Sequence, residues 1–63
     1  MTTNELLAYC VERLRLSRGF EFNELFIEGN EVKMKSPGTM NGKPIDVIET
    51  VKSPSHFFKL LGF

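Results

Sequence analysis

The sequence predicts a small α+β domain in the order αβββα, a helix, a three-stranded antiparallel sheet and a second helix, with both helices on one face of the sheet. Three observations carry this. Apolar residues recur at helical spacing from Leu6 to Leu14 behind a polar start. Gly29-Asn30 lies between two runs whose apolar residues match across a hairpin. A Ser-Pro pair then opens an apolar segment from Phe57 to Leu61. With 63 residues there is room for a single domain spanning 1–63. A chain of this size buries only about 60% of the surface its unfolded form exposes, so extra stabilisation is expected from tight packing or self-association. Disulfides and zinc are poor candidates, because Cys10 is the only cysteine and His56 the only histidine.

The first helix is expected over 3–17. Thr2-Thr3-Asn4-Glu5 has the form of a capping box, in which the hydroxyl bonds a free amide and the carboxylate three residues on reaches back. Leu7, Cys10, Val11 and Leu14 form one stripe, with Leu6 at its edge. Ser17-Arg18-Gly19 supplies the stop: a basic residue suits the negative helix end and glycine accepts a left-handed cap. Tyr9, Arg13 and Leu16 fall at i, i+4 and i+7, on the face read as opposite the stripe. They are a candidate contact triplet, since Tyr and Arg are enriched at binding hot spots. The bland alternative is that Tyr9 packs on a loop, Arg13 pairs with a glutamate and Leu16 covers the helix end.

Residues 25–35, LFIEGNEVKMK, read as a hairpin turning at Gly29-Asn30, both of which accept positive φ. The implied register pairs Ile27 with Val32 and Leu25 with Met34 on one face, and Phe26 with Lys33 and Glu24 with Lys35 on the other. Phe20 and Phe22 have the opposite parity to Leu25 and Ile27. Either the chain bulges near Asn23-Glu24, or both rings fold under as a loop cap, or with Phe26 they form an aromatic platform. Residues 36–44, SPGTMNGKP, read as a mobile surface loop without a phosphate-binding glycine pattern. Residues 45–52, rich in β-branched residues, read as the third strand, with a short helix from Pro44 as the competing assignment. Ser53 and Pro54 are then N-cap and N1 of the second helix, with His56 and Lys59 pointing away from its apolar side. Phe57, Phe58, Leu60 and Leu61 span an arc of about 160° on a helical wheel, wider than the ~100° one packing face requires. Part of the segment closes the core, and the surplus, Phe58 or Phe63, is available to a partner.

Charge and chemistry exclude more than they identify. Eight bases balance eight acids, so no strongly basic nucleic-acid footprint is present. Residues 1–31 carry a net −3 and residues 32–63 a net +3, halves that can attract within one chain or between two. No secretory leader is read at the start, no run reaches the ~20 apolar residues of a membrane span, and a cytoplasmic location with Cys10 reduced is expected. No nucleophile, base and orienting group come together: His56 lies in a first helical turn, where the positive dipole disfavours imidazolium, and Cys10 lies on the buried stripe. Calcium-loop order is missing from the acidic run Glu21, Glu24, Glu28 and Glu31. An enzyme, a metal and a cofactor are therefore not expected.

The order helix, three strands, helix resembles that of double-stranded-RNA-binding domains in topology. Those domains open their last helix with a lysine-rich cluster, and this chain reads Ser53-Pro54-Ser55-His56 there, so no residue role carries over. The expected function is a non-enzymatic protein-interaction or regulatory module, of a size common in phages and mobile elements, that binds a protein partner or a second copy of itself as a homodimer. The candidate contacts are Tyr9, Arg13 and Leu16 on the first helix, and Phe57, Phe58, Leu61 and Phe63 in and after the second. The alternative is a weak RNA- or DNA-binding module using Arg15, Arg18, Lys33 and Lys35, with Phe26 as a stacking ring.

Overall fold

A computed structural model describes residues 1–63. Helix α1 spans Thr3–Leu16. Its capping box forms: the Thr2 hydroxyl accepts from the Glu5 amide at 3.2 Å, and the Thr2 amide donates to Glu5 Oε1 at 3.1 Å. The amide of Thr2, and after it the Thr2 side chain, hold the Glu5 carboxyl below its ordinary value. Thr3 Oγ1 donates to the Asn30 carbonyl at 2.9 Å, tying the helix start to the first hairpin turn. Ser17 is the C-cap, so the helix stops one residue before the expected end. The apolar stripe is also rotated from its expected centre. Leu6 and Cys10 are buried, Leu7 and Leu14 are half-buried, and Val11 is exposed. The reason is that α1 packs on two elements at once, the sheet and the second helix.

Strands β1 (Glu24–Glu28), β2 (Glu31–Met40) and β3 (Lys43–Val51) form an antiparallel sheet in chain order. The first hairpin has the register the apolar pattern implies, Ile27 against Val32 and Leu25 against Met34. Its turn differs in one respect: Gly29 has φ 66° while Asn30 stays at negative φ, the combination of a II′ turn. Residues 36–44 are not a loop. They complete β2, turn at Asn41-Gly42 with φ 54° and 76°, and start β3, giving nine pairs from Val32↔Val51 to Met40↔Lys43. An Asn-Gly turn with both residues left-handed is the I′ form that matches strand twist, and it outweighs the two prolines. Neither proline breaks the ladder. Met40 and Lys43 flank a two-residue turn, so they face each other's bonding groups. Alternation then aims the amide position of Pro37 at the side β1 no longer reaches, and that of Pro44 at the outer edge. Gly38 is required by close approach: a Cβ there would lie 2.8 Å from Val47 Cγ2.

The competing short helix from Pro44 does not form. Helix α2 runs Pro54–Leu60, capped by Ser53, whose hydroxyl accepts from the His56 amide at 3.1 Å. His56 lies outside the core and is engaged there. Its Nδ1 accepts from the Lys52 amide at 3.1 Å, closing the strand-to-helix corner. The core is one cluster of seven residues: Leu6 and Cys10 of α1, Val32 and Met34 of β2, Val51 of β3, and Phe57 and Leu61 from α2 and its cap. Val32, Met34 and Val51 share one face by pairing, so both helices cover that face. Of the two rings before β1, only Phe20 folds under the core. The chain turns at residues 21–22, and Phe22 is left 82% exposed. The Asn23 side chain anchors the turn on Ser36 Oγ at 3.2 Å. Beyond Lys35, the last partner of β1, the β2–β3 ribbon continues as an arm for roughly 17 Å, five residues at ~3.3 Å each. The molecule accordingly measures 38 × 26 × 16 Å. No helix is long and apolar enough to cross a membrane.

Candidate functional site

Two contact patches expected on separate helices form a single surface. The Phe58 ring meets Tyr9 edge-on, with centroids 6.3 Å apart and planes at 87°. On its other side Phe58 meets Phe63 in the same T-shaped way, at 6.2 Å and 88°. Such edge-to-face pairs set the negative face of one ring against the positive edge of the next. Arg13 completes the row, its guanidinium carbon 5.3 Å from the centre of the Tyr9 ring. That is a cation–π contact, and no carboxylate lies within ion-pair distance of Arg13. Leu16, one helical turn further on, extends the surface and is 69% exposed. The row therefore runs Leu16, Arg13, Tyr9, Phe58, Phe63 across α1 and α2, with Phe63 77% exposed at its far end.

Two corrections to the expected contact set follow from burial. Phe57 is 0% exposed and Leu61 is buried, so they belong to the core beneath the surface. Of the four apolar side chains on the wide arc of α2, Phe57 faces inward and Phe58 is half-buried against Tyr9. The Tyr9 triplet does not lie opposite the buried stripe. With Leu6 and Cys10 at its centre, Tyr9 falls about 100° from Cys10 on the flank that meets α2.

A second feature lies on the other side of the C-terminal half of α1. Leu14, Phe20 and Leu25, with Val11, line an open groove of about 420 Å³. Arg15 and Arg18 line it as well, and neither has a carboxylate within ion-pair distance. Glu21, on the opposite wall, accepts from the Gly19 amide at 3.3 Å. Pattern reading missed this groove because its walls come from a helix end and a turn that share no periodicity.

The five residues expected for nucleic-acid contact do not converge. Phe26, Lys33 and Lys35 share the sheet face away from the helices, whereas Arg15 and Arg18 line the groove beside α1. Lys33 lies 3.5 Å from Glu31 and donates to Thr50 Oγ1. Lys35 lies 3.7 Å from Asp46 and 4.0 Å from Glu24. The lysines thus sit among acids, and Phe26, paired across the strands with Lys33, is half-buried.

The reactive side chains are dispersed. Cys10 is fully buried, and burial pushes its thiol above the ordinary value. His56 is occupied as an acceptor in the α2 corner. No group of three His, Cys, Asp or Glu side chains could hold a metal ion. No protein-family model, curated protein or solved structure matches the chain.

Proposed function

We propose that this protein is a small non-enzymatic interaction module that binds a protein partner through the Leu16–Arg13–Tyr9–Phe58–Phe63 surface. The observation that carries the reading is the continuous row Arg13, Tyr9, Phe58, Phe63. Its inner members are held in fixed geometry by contacts within the chain, and its outer members, Leu16 and Phe63, stand exposed. Aromatic and arginine side chains contribute most to binding when ordered before contact, because little rotamer entropy is then lost. Core packing uses Phe57 and Leu61, with Tyr9 packed against their cluster, and leaves Leu16 and Phe63 outside it.

The test is site-specific photocrosslinking in cells that make the protein. A benzophenone side chain replaces Phe63 in one protein and Thr39, on the arm, in another. The expected result is one protein adduct from position 63, absent from position 39. It should persist at high salt, which an apolar interface tolerates and phosphate binding does not. It should disappear when Leu16→Glu is added. Equal adduct patterns from both positions, or an adduct with nucleic acid alone, would overturn the proposal.

A further inference from the structure

Phe22 has no explanation in the core or in the aromatic row. It is the most exposed large apolar residue of the chain, at 82%. It sits between Glu21 and Asn23, both of which line the 420 Å³ groove, and Glu24 follows one residue later. One face of the molecule therefore carries an acidic–aromatic finger, Glu21-Phe22, while Glu24 in β1 points with Lys35 to the far face of the sheet. Directly beside it lies an apolar groove with two arginines that lack ion-pair partners. The finger does not enter its own groove, because it forms one wall.

We infer that this face binds a second copy of the same chain, each copy placing Phe22 in the groove of the other. A two-fold interface joins the same patch on both subunits, so a protrusion next to a matching recess is satisfied twice by one symmetry operation, and the assembly closes at two. The chemistry fits at each end. Leu14, Phe20 and Leu25 offer the ring an apolar seat. The acid beside the ring, Glu21, meets Arg15 and Arg18 of the other copy, neither of which has a carboxylate within ion-pair distance in its own chain. A 63-residue chain also gains from a partner that extends its seven-residue core. The face is separate from the aromatic row, so this assembly and the partner surface fail or stand independently.

Sedimentation equilibrium from micromolar into millimolar concentration tests the inference. The wild type is expected to approach twice 7.2 kDa. Phe22→Asp should raise the dissociation constant at least ~30-fold, the loss of one hot-spot residue. Phe63→Asp should leave it unchanged. A charge exchange supplies the decisive arm. One variant carries Arg15→Glu and Arg18→Glu, the other Glu21→Arg. Each alone places like charges across the two-fold axis and should be monomeric. Mixed in equal amounts they restore both contacts and should form the heterodimer. Phe22→Ala, which adds no charge, decides the matter if Phe22→Asp loses its circular dichroism. A monomeric wild type at millimolar concentration would overturn the inference. So would a dimer indifferent to both Phe22 variants, or charge variants that stay monomeric on mixing.

Discussion

Phe57 and Phe63 are six residues apart in one apolar segment, yet the structure gives them opposite roles. Replacing each by alanine should separate those roles by several kcal/mol. Phe57 is 0% exposed and is the largest fully buried side chain. Removing a buried phenylalanine costs ~3–5 kcal/mol, from lost transfer energy and the cavity left behind. A 63-residue domain has a total stability of only ~3–9 kcal/mol, so Phe57→Ala should remove at least about a third of it. Phe57→Leu keeps most of the volume, costs up to ~1.5 kcal/mol and should lower the melting temperature by about 6–12 °C. Phe63 is 77% exposed and makes one edge-to-face contact, with Phe58. Its replacement by alanine should cost less than ~1 kcal/mol. Urea unfolding followed by far-ultraviolet circular dichroism measures all three, with a common slope as the check that one transition is being compared. Equal losses for Phe57→Ala and Phe63→Ala would refute the placement of the core.

Cys10 should react with a disulfide reagent only as fast as the domain opens, because its thiol is buried and its ionisation is suppressed. Its folded pKa is raised, so its contribution to stability is complete below the ordinary thiol value of 9.0 and is lost as pH climbs above it. Cys10→Ala should flatten that part of a stability–pH curve. Thr2→Ala removes an N-cap and should cost ~1 kcal/mol in the same urea assay. The Glu5 carboxyl is lowered in the fold, so its contribution is present above 4.5 and lost as pH falls through the folded value, and Glu5→Gln should remove that acid-side change. Gly42→Val forces a β-branched residue to φ 76°, a conformation costing ~1–2 kcal/mol. Hydrogen exchange should then quicken in the arm, residues 36–47, while amides around Val32 and Val51 keep their protection.

The elements set by short-range chemistry were legible in the sequence. The Thr2–Glu5 box, the Gly29-Asn30 turn with its five matched pairs, and the Ser53-Pro54 start of α2 each depend on residues within one turn or one hairpin. The arm was legible in principle, because Asn41-Gly42 is a strong hairpin signal, but the prolines at 37 and 44 pointed to a loop. Their ring nitrogens fall where the ladder needs no donor, a fact that emerges only once the register of all three strands is known. The candidate surface was half legible. Tyr9, Arg13, Leu16, Phe58 and Phe63 stood out by type and spacing, but Phe57 and Leu61 were grouped with them although they are core.

The sequence by itself determined the order of elements, their caps and the pairing of the first hairpin, because those are contests between neighbouring groups along the chain. Only the tertiary structure decided which flank of α1 meets α2, and hence that Tyr9 and Phe58, 49 positions apart, form one surface. It alone set Phe22 beside the Arg15–Arg18 groove. The physical reason is that a helix offers several packable faces of similar apolar content, and the choice among them is made by the volume left between sheet and partner helix, a property no local stretch contains.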